Sequence, residues 1–213
     1  MACAAVLFTA VRADAQIYAK LNGLYACVGV INPQVEFGIS DHSAFQTEFV
    51  YSPWASVRGR HMKFGIFMNE YRYYINNVRS KGRGFYVAAD VGMMAFDITR
   101  PRLGNGKLVW FDRNYSKGYG FMLGLAVGYE YRFKERWVVD AFIGGAYMNS
   151  MYNGYLADGT INMNPHRPPG KEPDSPDPFN GSAETMPCKI GISIGYRIFN
   201  PKKQPAETTS SVL

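Results

Sequence analysis

The sequence contains no run of eighteen apolar residues, so no segment of it crosses a membrane as a helix. It has only three cysteines and three histidines, and they are never close enough together for a zinc site. His42 falls in a polar turn, His61 at a strand end and His166 in a proline-rich stretch. None sits beside a serine held by a third group, so the sequence offers no triad for nucleophilic catalysis and the expectation is a protein that is not an enzyme. No cofactor motif is present either. The net charge is +6, but the bases are scattered: Arg79, Lys81 and Arg83 in one turn, Arg100, Arg102 and Lys107 in a loop, Lys202 and Lys203 in the tail. Without a basic stripe interleaved with aromatics, nucleic acid is not an expected partner. The basic loops are read either as solvated or as meeting anionic lipopolysaccharide or acidic glycans.

What is abundant is alternation. From Tyr119 to Phe133, YGFMLGLAVGYEYRF, every odd position is large and apolar, while the even positions are Gly120, Met122, Gly124, Ala126, Gly128, Glu130 and Arg132. A period of two over fifteen residues is a strand with one greasy face and one small or charged face. The last strong segment repeats it, with Cys188, Ile190, Ile192, Ile194, Tyr196 and Ile198 against Lys189, Gly191, Ser193, Gly195 and Arg197. Glycine alternating with charge suits a crowded polar lumen, and 15% aromatic residues with 22 glycines suit aromatic girdles and tight inward positions. Mean hydropathy is near zero, because alternation cancels it.

These patterns predict an all-β fold, an eight-stranded antiparallel up-and-down transmembrane β-barrel. The strands are expected at about 17–27, 34–39, 45–51, 62–75, 85–97, 119–133, 137–147 and 188–198. In the fourth, Met62, Phe64, Ile66 and Met68 are apolar on even numbers but Tyr71, Tyr73 and Ile75 on odd ones. A bulge near Asn69 is therefore expected, to leave Glu70 and Arg72 inside. Apart from the first connection, which is brief, short and long connections alternate, which is the outer-membrane arrangement with both termini periplasmic. The organisation expected is a signal peptide at 1–15, ending Ala13-Asp14-Ala15 with its start cut short; a barrel at 16–199; and a disordered periplasmic tail at 200–213. Two long loops are expected, Ile98 to Lys117 and Asn149 to Pro187. The second holds most of the twelve prolines and is not expected to pair as a ladder.

The inward charged positions are Lys20, Glu36, Glu48, Glu70, Arg72, Asp90, Glu130, Arg132, Asp140, Lys189 and Arg197, with Asn22 among them. Six acids facing five bases can cross-link the lumen as a plug of ion pairs, or line a narrow gated path. Glu70 with Glu130 is a weak pairing of carboxylates for acid/base chemistry. Cys27 and Cys188 fall near the loop-side ends of the first and last strands, on the outward face. They are read either as a disulfide across the barrel seam or as two lipid-facing thiols.

Several residues together resemble a family of small outer-membrane barrels from Bacteroidetes, labelled a domain of unknown function. They are Lys20 and Asn22, Asn32-Pro33 with Glu36, Tyr51 and Trp54, Glu70-x-Arg72-Tyr73, Gly124, Gly128 and Tyr129, Trp137, and Tyr152 with Tyr155. The resemblance covers about Ile17 to Phe199. Tyr74 stands where another aromatic, usually tryptophan, is expected and Asp140 where glutamate is commoner; the proline-rich loop is an addition. The resemblance implies a build like OmpA-type and OmpW-type barrels, an assembly or accessory role near surface fibres or glycan handling, and no catalytic residues. The expected function is thus a structural or interaction barrel of the outer membrane. Its long surface loops would meet a partner protein, glycan or lipopolysaccharide; a narrow, porin-like transporter of small or apolar solutes is the alternative.

Overall fold

The structure is a computed structural model and describes residues 16–75, 83–99, 102–104, 107–109, 114–134, 136–161 and 180–199. The expected signal peptide, the tail and the stretch 162–179 lie outside the described residues. Eight strands form one closed barrel: β1 (Ile17–Asn22), β2 (Pro33–Gly38), β3 (Ser43–Ser52), β4 (Met62–Tyr74), β5 (Arg83–Ile98), β8 (Tyr115–Phe133), β9 (Trp137–Tyr155) and β10 (Asn180–Phe199). Each pairs antiparallel with its neighbours in sequence order, and β1 closes the ring against β10. The seam is short: β1 covers β10 only from Ser193 to Phe199, so the rest of β10 is paired on its β9 side alone. A small hairpin, β6 (Arg102–Gly104) with β7 (Lys107–Val109), stands apart in the connection between β5 and β8.

The outer surface is the greasy face. On β8 Phe121, Leu123, Leu125 and Val127 all point out, matched by Val87, Val91 and Met93 on β5 and by Ile190, Ile192 and Ile194 on β10. Leu125 is 71% exposed. Apolar outside and charged inside is the reverse of a water-soluble barrel, and it is how a β-barrel spans a membrane. Aromatic rings collect at the short-turn end of this band, where Trp137 lies 6.4 Å from Phe133 and 5.1 Å from Tyr196. Such rings sit where hydrocarbon meets head groups.

Four expectations about the strands need correction. β1 ends at Asn22 rather than Cys27, because the Asn22 side chain accepts from the Leu24 N–H at 3.1 Å and caps a short helix, α1 (Gly23–Cys27). Gly29, at φ +71°, then ends that helix in the left-handed conformation that glycine adopts without strain. β4 has no bulge: its register against β3 and β5 is unbroken from Met62 to Tyr74. Ile66 and Met68 therefore point into the lumen with Glu70 and Arg72, and Phe67 faces out. Finally, the long loops are shorter than expected. Asn149–Tyr155 and Asn180–Met186 extend β9 and β10, with Asn180 opposite Tyr152, and β8 starts at Tyr115. Pro187 fits because it falls within a break in register between Met186 and Lys189, where no ladder hydrogen bond is required of it.

Candidate functional site

The lumen is filled by two layers. At the short-turn end, Arg72 on β4 is fully buried and gathers carboxylates from across the barrel. Its Nη1 lies 2.6 Å from Asp140 Oδ2 and 3.3 Å from Glu36 Oε2, and its Nε donates to Glu70. Lys20 on β1 reaches three of the same acids, at 2.5 Å to Glu36, 2.8 Å to Glu130 and 3.2 Å to Asp140. Arg132 closes the end, with Nη2 2.9 Å from Glu130 Oε1 and its guanidinium over the Tyr18 ring. Lys189 continues the chain toward the middle, bonded to Glu70, 3.3 Å from Glu48 and 3.8 Å from Asp90. Ten of the eleven charges expected in the lumen thus join one network.

Arg197 is the exception. It lies half-buried at the end of β10 and makes no ion pair among the described residues; its backbone N–H donates to the Arg136 carbonyl at 2.7 Å. Without it, six carboxylates meet four cations. Two phenols that sequence reasoning missed help to hold that excess: Tyr74 donates to Glu130 Oε2 at 3.2 Å and Tyr86 to Asp140 Oδ1 at 2.9 Å. A buried carboxylate needs such donors, since burial strips it of water. Their phase was the available signal, because Tyr86 is in step with Asp90 and Tyr74 with Arg72. Gly128 makes the room, since a Cβ there would collide with the Tyr86 ring. Gln34, equally unforeseen, donates to Asn32 Oδ1 at 2.9 Å and Glu48 Oε2 at 3.2 Å. Glu70 and Glu130 do not pair with each other: Glu70 is held by Arg72 and Lys189, and Glu130 by Lys20 and Arg132 with Arg72 farther off at 3.9 Å.

The second layer, at the loop end, is apolar. Val30, Val50, Ile66, Met68, Met94 and Met148 are among its buried members. Above it opens a cleft bounded by α1 and the segment after β3.

The other expected residues do not assemble a reactive centre. Cys27 is on α1, not a strand, and its thiol is exposed and unbridged among the described residues. The side chain of Cys188 lies outside the described residues. His42 contacts the Tyr74 carbonyl and stacks on Tyr73, which pins a turn. His61 Nδ1 lies 2.7 Å from Asp97 Oδ1 and its ring stacks on Tyr115, while the nearby Thr99 hydroxyl accepts from the His61 backbone N–H at 3.1 Å. No cluster of His, Cys, Asp and Glu suited to a metal occurs among the described residues.

Comparison with solved structures gives the N-terminal β-barrel domain of Pseudomonas aeruginosa OprF, 11% identical, with a TM-score of 0.40 over 87% of this chain and 97% of that one. The fold stands on the strand pairing above and takes nothing from that likeness. No curated protein matches the chain. Residues 1–167 match the family described as "Protein of unknown function (DUF3575)", a span that holds the whole network except Lys189, and by that match over most of its length the chain belongs to this family.

Proposed function

We infer that this protein is an outer-membrane barrel with a structural or interaction role, its lumen closed to ions and its loop end offered to a partner protein, glycan or lipopolysaccharide. The observation that carries this reading is the position of Arg72, fully buried and bound to acids from β2, β4 and β9. An eight-stranded barrel has room for side chains and little else, and here they are cross-linked through the interior. The apolar outer band supports residence in a membrane, and the absence of a helical span among the described residues leaves the strands to cross it. No catalytic role is assigned, because the ionisable groups inside are consumed by one another.

Liposome conductance tests the reading. Full-length protein refolded into liposomes should pass no steady ion current, and Arg72→Ala should leak. A steady current through the unaltered barrel would favour the narrow-pore alternative. That alternative has one observation in its favour, the apolar cleft at the loop end, which the charged layer separates from the opposite mouth.

A further inference from the structure

The cleft at the loop end has a volume of about 510 Å³ and is lined by Tyr25, Val28, Val30, Trp54, Val57 and Phe64. That is the size of a site for one small ligand. Two polar side chains of its wall are already committed: Ser52 Oγ donates to the Met62 carbonyl at 2.6 Å and Trp54 Nε1 to the Val28 carbonyl at 3.1 Å. The surface facing the cavity is predominantly carbon. Beneath it, Tyr25 and Phe64 pack on the methionine-rich layer, whose unbranched thioethers adapt to an irregular apolar guest. Trp54 forms one wall by lying over Gly29, where an added Cβ would come within 2.6 Å of the ring.

The rim supplies the second half of the argument. The segments framing the cleft, residues 23–32 and 52–62, contain Arg58 and Arg60 and no aspartate or glutamate. Val57 and Arg60 bridge, at 2.8 Å from N–H to carbonyl, around a two-residue turn with Arg58 at φ +53° and Gly59 at φ +78°. Such turns favour asparagine or glycine at their first position, and an arginine there places a cation at the hairpin tip beside a cleft-lining residue. Arg58 is exposed and makes no ion pair among the described residues. Asp97, the acid that His61 reaches, is held by His61 and by Lys117 at 3.3 Å. An apolar cavity with an unneutralised cation at its rim complements a hydrocarbon tail with a negative head.

We propose that this cleft binds one single-chain anionic amphiphile, its hydrocarbon tail within the cavity and its head group against Arg58. The proposal goes beyond the structural role above and shares with it only the barrel's residence in a membrane.

The test is equilibrium binding of radiolabelled dodecanoate to the full chain in lipid nanodiscs, with uptake by empty discs subtracted and the folded barrel verified by its heat-dependent gel shift. Binding should saturate at one molecule per chain. Arg58→Glu should weaken it by about tenfold or more, and dodecyltrimethylammonium, with the opposite head, should compete poorly. Val57→Phe, which fills the cavity, and Gly29→Ala, which drives Trp54 from the wall, should each abolish it by a different route. Uptake that never saturates, or that survives both wall variants, overturns the proposal. Loss in the wall variants with no effect of Arg58→Glu and equal competition by the cationic amphiphile overturns its anionic head. Neither result bears on conductance, so a leaking barrel and an empty cleft are separate failures.

Discussion

The guanidinium carbon of Arg72 lies 4.4 Å from the centroid of the Tyr86 ring, while the Tyr86 hydroxyl donates to the same Asp140 that Arg72 grips. One phenol therefore serves cation and anion together. Tyr86→Phe keeps the ring under the guanidinium but strands a buried carboxylate oxygen, at a cost of about 1–3 kcal/mol. Tyr86→Leu removes both interactions and should cost more. Urea midpoints of the folded barrel, read by its heat-dependent gel shift, separate the two. Equal losses would mean that the ring contributes only volume.

Arg72 itself is the larger lever. Arg72→Ala leaves Asp140, Glu36 and Glu70 without one shared cation, and removing one partner of a buried ion pair costs about 3–5 kcal/mol. Arg72→Met, which retains bulk, should restore part of the stability but still leave the acids short of charge. A double variant, Arg72→Met with Asp140→Leu, should recover more than Arg72→Met alone. If it does not, the network is not coupled as the distances indicate.

Which parts of this arrangement the sequence exposes follows from what alternation encodes. Phe121, Leu123, Leu125 and Val127 read as outward because Gly120, Gly124 and Gly128 between them leave no second apolar face. Glu70 and Arg72 read as inward because a charge on a lipid face is costly. The methionine layer was hidden for the same physical reason. Ile66 and Met68 have the chemistry of a lipid-facing residue, so the pattern implies a bulge where the unbroken register of β4 simply turns them inside. The helix α1 left a signal in Asn22-Gly23, a cap and a breaker, but the apolar residues after it continue the strand pattern well enough to mask it. Pro187 reads as the end of a loop that cannot pair, whereas pairing runs on both sides of it. The cleft had no signature, since Tyr25, Val30 and Trp54 converge only through the closure of the ring.

Cys27 gives a direct chemical test at the seam. Because its thiol is exposed, a water-soluble maleimide should label it in the folded barrel without denaturant, and Cys27→Ser should remove that labelling. The mobility of the folded band should be the same with and without reductant. A reductant-dependent shift that Cys27→Ser abolishes would restore the disulfide reading.

The outer face offers the sharpest test of where the barrel resides. Leu125 sits near the middle of β8, on the outward side, opposite Ala89 on β5 and Gly145 on β9. In water an arginine at so exposed a position would be nearly neutral for stability. In a bilayer its charge would lie near the hydrocarbon midplane, where the cost on a barrel surface is about 2–4 kcal/mol. Leu125→Arg should therefore lower the folding free energy in lipid vesicles by that amount. Ala157→Arg, which adds the same charge at an exposed position in the turn beyond β9, should change little, because that position is outside the hydrocarbon. If Leu125→Arg folds as well as the unaltered chain in vesicles, the apolar band is not in contact with lipid tails, and a partner protein rather than a membrane must cover it.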